Sequence, residues 1–110
     1  MSDQPCKVAV AGLGTVGAET VRLIATNQDL LSARAGRKIV VTAVSARDRS
    51  RDRRIDLTGV TWFDDAAEMA TQADADIIVE VIGGETGMAR DVIDNAIAAG
   101  RSVVTANKAL

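Results

Sequence analysis

Apolar and polar positions along the chain follow two rhythms. Lys7–Ala11 (K-V-A-V-A), Ile39–Val44 (I-V-V-T-A-V), Val60–Trp62, Asp76–Ile82 (D-I-I-V-E-V-I) and Ser102–Thr105 are short apolar runs, most of them rich in Val and Ile, a pattern that predicts strands. Between them lie stretches with helical spacing. The first runs from Thr15 to about Thr26, with Val16, Leu23 and Ile24 among the residues expected to face inward. Asn27-Gln28-Asp29 reads as a break, followed by a short second helix over Asp29 to Arg34. Asp64 or Asp65 is placed to cap a helix running to about Thr71. Met88, Val92, Ile93, Ala96 and Ile97 mark a further helix, and Gly100 suits its left-handed end. Ile39–Val44 is almost continuously apolar, which predicts a strand covered on both faces.

Strands that alternate with helices imply right-handed crossovers and a parallel sheet. The expected fold class is therefore α/β, a doubly wound, Rossmann-type parallel sheet of five strands in the order 3-2-1-4-5. Residues 1–110 form one domain in this reading. The order of the strands puts a topological switch point between strands one and four, where open α/β sheets bind ligands at their carboxyl edge. Gly12–Gly17, Ser45–Arg47, Gly83-Gly84 and Thr105–Lys108 all leave strands at that edge.

The first of these exits carries the clearest chemistry. Val8 to Gly17 reads V-A-V-A-G-L-G-T-V-G, a strand ending in Gly12-x-Gly14-x-x-Gly17 with a helix opening at its last residues. Gly12 permits the tight turn, Gly14 lets a pyrophosphate approach the backbone, and Gly17 lets the helix pack closely on the sheet. Free N–H groups and the helix dipole then favour the phosphates. The turn Gly12, Leu13, Gly14, Thr15, Val16 and Gly17 is thus expected to bind a dinucleotide. Arg47, just past strand two where an NAD site usually carries an acid, would pair with a 2′-phosphate. That favours NADP over NAD, although Asp48 beside it leaves NAD open.

Composition narrows the remaining options. The chain of 110 residues has 47% hydrophobic residues but only Trp62 and Phe63 as aromatics, so Ala, Val and Ile must fill the core. A net charge of −2 argues against an electrostatic nucleic-acid binder. One cysteine, Cys6, and no histidine remove internal disulfides, His–metal clusters and Ser–His or Cys–His nucleophile pairs; no metal site is expected. The amino terminus lacks the pattern of a signal peptide and no apolar run reaches the length of a membrane span, so a cytoplasmic protein is the expectation. Glu80 is the odd residue: a carboxylate in a strand that should be central, expected to act as a structural hydrogen-bond acceptor, with pairing to a lysine of a following domain and a catalytic base role as the alternatives.

Together, G-L-G-T-V-G (Gly12–Gly17), V-E-V-I-G-G (Val79–Gly84) and V-T-A-N-K-A-L (Val104–Leu110) resemble the amino-terminal NAD(P)-binding domain of homoserine dehydrogenase. The resemblance covers Lys7 to Leu110. It implies an oxidoreductase that interconverts aspartate 4-semialdehyde and homoserine with NADP or NAD, in threonine, methionine and isoleucine biosynthesis. It implies that Lys108 lies at the cofactor–substrate junction, as cofactor ligand and catalytic residue. It places Thr105 against the cofactor and lets Gly83 and Gly84 pass close to it. The small-molecule substrate would be held by a following domain that this chain lacks, through which the intact enzyme would form a homo-oligomer; the chain alone is expected to be inactive. The alternatives are the cofactor domain of a related enzyme, such as aspartate dehydrogenase, and a non-catalytic dinucleotide sensor.

Overall fold

The computed structural model describes residues 5–46, 57, 59–82 and 87–105. Their strands are β1 (Cys6–Ala11), β2 (Ile39–Ser45), β3 (Thr61–Phe63), β4 (Ile77–Glu80) and β5 (Ser102–Thr105). Their helices are α1 (Thr15–Thr26), α2 (Gln28–Ala35), α3 (Ala66–Gln72) and α4 (Gly87–Ala98). The sheet is parallel throughout, in the order β3-β2-β1-β4-β5, as the alternation of elements predicts.

Side-chain alternation along β1 divides the core between the two faces of the sheet. Val8 and Val10 point to one face, where they meet Leu13, Val21 and Val44. Ala9 and Ala11 point to the other, where they meet Ala43, Met69, Ala70, Ile78, Val92 and Ala96. The first face carries α1; the second carries α3 and α4. Alanines on both the sheet and the helices let α3 and α4 lie close to the strands, and Met69 fills what the small side chains leave. This is how a core with two aromatics closes.

The pairing of β1 with β2 slips between Val8 and Ala9, which face Val41 and Ala43, so that Thr42 is the extra residue of a bulge. Its hydroxyl donates to the carbonyl of Asp74 at 2.6 Å. After the bulge the strands run in step to their carboxyl ends. Phe63, Ser45, Ala11, Glu80 and Thr105 pair in turn across all five strands as one rung.

Two expectations about burial need correction. Val16 and Leu23 are 56% and 52% exposed, not inward-facing. The buried stripe of α1 runs through Gly17 and Val21 to half-buried Ile24; glycine opens it, and glycine gives no apolar signal. In β2 only Ala43, Val44 and Ser45 are fully buried. Beside its first half lies an open groove of about 650 Å³, lined by Val21, Ile24, Gln28, Val41 and Val60 among others.

Helix ends follow local chemistry. Asp65, not Asp64, caps α3, accepting from the N–H groups of Ala67 (2.9 Å) and Glu68 (3.4 Å). Asp64 instead accepts from the Trp62 indole at 3.2 Å. Gly36 closes α2 at φ 76°. Arg101, just before β5, donates to the carbonyls of Thr71, Ala73 and Ala75 at and beyond the end of α3.

Candidate functional site

The glycine turn between β1 and α1 is built by contact rather than by side-chain bonding. Gly12 sits at φ 100°, a conformation L side chains rarely adopt. A Cβ there would also lie 2.8 Å from the Cα of Ile82 and from the carbonyl oxygen of Val81. A Cβ on Gly17 would stand 1.8 Å from the carbonyl oxygen of Gly12. These two glycines therefore fold the turn under β4. The Gly12 N–H donates to Ser45 O at 2.8 Å and the Val81 N–H to Ala11 O at 2.9 Å, so three strand exits are tied together.

Gly14 is different. It is exposed, its φ is an ordinary −70°, and a Cβ on it would meet nothing within 4 Å. It stands at the N-cap of α1 with no side-chain cap, at the end of the helix where the first N–H groups have no intrahelical partner. Among the described residues, an anion approaching Gly14 meets backbone and the start of the helix dipole. The residues fit the diphosphate of a dinucleotide.

The other residues of the turn divide. The Leu13 side chain is buried, 3% exposed, in the valine face of the core. Val16 is exposed at the start of α1, beside the turn. Thr15 opens α1, and its side chain lies outside the described residues.

On the α3/α4 face a small cavity of about 130 Å³ is lined by Gly12, Ser45, Ala46, Asp64, Ala66, Ile82 and Met88. It brings together the residues that end or follow β1, β2, β3 and β4 with the starts of α3 and α4. Ile82, Asp64 and Met88 are members that motif reading passed over. Their signal was position alone, directly after a strand or at the start of a helix. Ser45 is 3% exposed, so its side chain is core as much as site.

Glu80 is fully buried in the middle of the sheet. A carboxylate there is costly unless hydrogen-bonded, and both its oxygens are used. Oε2 accepts the backbone N–H of Ile82 at 2.8 Å, and Oε1 accepts the hydroxyl of Thr105. Glu80 thereby binds the exit of its own strand to the exit of β5. The expectation of a structural acceptor holds. Thr105 is itself exposed, next to a recess of about 250 Å³ shared with Arg90, Ile93 and Asp94.

The structure thus brings Gly12, Gly14, Gly17 and Thr105 to one edge of the sheet. Arg47, Gly83, Gly84 and Lys108 lie outside the described residues. Among the described residues no group of three His, Cys, Asp or Glu side chains is placed to hold a metal ion. No helix among them is long and apolar enough to cross a membrane.

Comparison with known proteins bears on the ligand. A family model described as homoserine dehydrogenase, NAD binding domain, matches residues 12–110. Homoserine dehydrogenase of Mycobacterium tuberculosis is 42% identical over 108 residues, which are 98% of this chain and 24% of that protein. That of Methylobacillus glycogenes is 40% identical over 107 residues, 97% of this chain and 26% of its own. Among solved structures, a homoserine dehydrogenase from Thiobacillus denitrificans superposes with a TM-score of 0.83 at 35% identity, over 96% of this chain and 24% of the other. One from S. aureus gives 0.84 at 31% identity, over 99% and 27%. The chain spans about a quarter of the length of the relatives it matches.

Proposed function

The chain belongs to the homoserine dehydrogenase family, as its NAD-binding domain, and from that premise we propose that it holds NADP in preference to NAD. In this reading the diphosphate lies at Gly12–Gly17, the adenosine end toward Arg47, and the nicotinamide end toward Gly83, Gly84, Thr105 and Lys108. The single observation that supports it most is the open approach to Gly14 and the first turn of α1. The preference for NADP draws on the exit of β2, where Ser45-Ala46 is followed by Arg47, whose guanidinium suits a 2′-phosphate.

When bound, the nicotinamide supplies or accepts the hydride that interconverts aspartate 4-semialdehyde and homoserine. In the intact enzyme the Lys108 ammonium would stand by the reacting carbonyl oxygen and favour the negative charge that develops there. A small amino-acid semialdehyde as substrate, a homo-oligomeric assembly and a cytoplasmic location complete the proposal. They concern the whole protein, of which relatives carry about four times this length.

Calorimetric titration of this chain with NADP and with NAD tests the cofactor reading. NADP is expected to bind tighter by roughly tenfold or more, the scale of a charge-assisted hydrogen bond. Arg47→Ala should shrink that gap. An equal loss for both dinucleotides would remove Arg47 from phosphate recognition, and binding of neither would sink the whole reading.

A further inference from the structure

Glu80 is buried at the site's edge, yet it touches no open surface, and the turn reading gives it no ligand to bind. Its two bonds nevertheless fix something a ligand would meet. Both of its oxygens accept, one from the Ile82 N–H and one from the Thr105 hydroxyl. A hydroxyl has a single proton. Once that proton is turned inward to Glu80, whatever else the Thr105 oxygen touches, it touches through its lone pairs.

We propose that Glu80 is a positioning residue that sets the polarity of Thr105, making it an acceptor for the carboxamide N–H of the nicotinamide. This rests on the dinucleotide reading of the site. The order β3-β2-β1-β4-β5 supports the placement, since a dinucleotide whose diphosphate lies at the β1 exit has one nucleoside on the β2 side and the other on the β4–β5 side. Thr105 ends β5, pairs directly with Glu80, and is exposed. The carboxamide nitrogen is a donor with two protons. An acceptor oxygen at this position matches it, whereas a hydroxyl proton pointing outward would oppose it.

The same geometry dictates what happens in Glu80→Gln. The Ile82 N–H still requires an acceptor, so the amide oxygen must take the Oε2 position. The amide nitrogen then faces Thr105 and donates to it. The Thr105 proton is driven away from Glu80, and the polarity of the hydroxyl inverts with little change in shape.

The probes are NADP and its 3-acetylpyridine analogue, in which a methyl group replaces the carboxamide nitrogen. Dissociation constants of both are measured by calorimetry for the chain and three variants. The unaltered chain is expected to prefer NADP by about fivefold, the worth of one neutral hydrogen bond. Thr105→Ser should keep the preference, while Thr105→Val and Glu80→Gln should each bring the ratio near one. Thr105→Val leaves Oε1 of Glu80 without its hydroxyl partner, so circular dichroism checks the folding of both variants; the two probes on the unaltered chain and on Thr105→Ser, which keeps that bond, test the proposal even if neither folds. A purely structural Glu80 would weaken both ligands alike and leave the ratio unmoved; that outcome, or a preference that survives Thr105→Val, overturns the proposal. Equal binding of the two probes to the unaltered chain overturns it while leaving the cofactor reading standing. Binding of neither probe overturns both.

Discussion

The α-carbon of Gly17 faces the carbonyl oxygen of Gly12 so closely that a methyl group on it would stand 1.8 Å from that oxygen. The atom in the way is backbone, and moving it would disturb the contact of Gly12 with Val81 and Ile82. Gly17→Ala is therefore expected to cost about 3 kcal/mol or more, at the upper end of overpacking penalties. Gly14→Ala, three residues earlier, should change stability by no more than about 0.5 kcal/mol, because its Cβ enters open space at an ordinary φ. The same methyl group would occupy the approach to α1 and weaken dinucleotide binding. Thermal unfolding and calorimetry on the two variants separate the effects; a Gly14→Ala protein that binds as before would place the diphosphate elsewhere.

Arg101 joins β5 to the end of α3 through three carbonyls. The Thr71 carbonyl lies in the last turn of α3, where a helix leaves acceptors unsatisfied and positive charge is favoured, and those of Ala73 and Ala75 follow it. Arg101→Ala should cost about 1.5–3 kcal/mol, the range for hydrogen bonds to a charged donor. Arg101→Lys should recover only part of it, since an ammonium does not reproduce the planar fork. Urea unfolding of the pair decides: equal stability of the lysine variant and the parent would show that charge alone acts here.

Asp65 satisfies two N–H groups at the start of α3. Asp65→Ala should cost about 1 kcal/mol and Asp65→Asn much less, because asparagine caps as well as aspartate. Asp64→Ala serves as the control, with a change of a few tenths of a kcal/mol at this exposed position. Reversal of that order in denaturant titrations would reassign the cap.

Met69 is fully buried among alanines. Small neighbours cannot swing in to fill the space it would vacate, so Met69→Ala should fall in the range of about 2–5 kcal/mol for core truncations. A loss below about 1 kcal/mol, read from the same titrations, would mean that α3 and α4 collapse onto the sheet after all.

The topology could be read from the chain because each strand is a compact apolar run and each crossover has its own helical spacing; β1, β5 and the second-strand exit were placed within a residue or two. What escaped was carried by residues with little pattern. The buried stripe of α1 begins at Gly17 and the bulge at Thr42 shows no sequence signal, while α4 buries Ala89, Val92 and Ala96 and leaves Ile97 64% exposed. Small side chains go inward here because the helices lie close, which depends on the opposing alanines of β1 and β2. The role of Glu80 was legible from its incongruity in an apolar strand, but its partner Thr105, 25 residues away, emerges only from the pairing of β4 with β5. At the site, glycine spacing located the turn, whereas the cavity beside Ile82 and Met88 reflects packing between elements distant in sequence.

The rung that runs from Phe63 through Ser45, Ala11 and Glu80 to Thr105 has a mechanical consequence. With strands about 4.8 Å apart, it spans roughly 19 Å; Ser45, Ala11 and Glu80 within it are buried, so what it fixes is the spacing of the strand exits just beyond it. A ligand laid across those exits would meet a fixed ruler. Each half of such a ligand, offered alone, engages one end and must be ordered separately. Joined halves are delivered at a high effective concentration only when their linker matches the ruler. The sheet can thus select for span as well as for chemical groups.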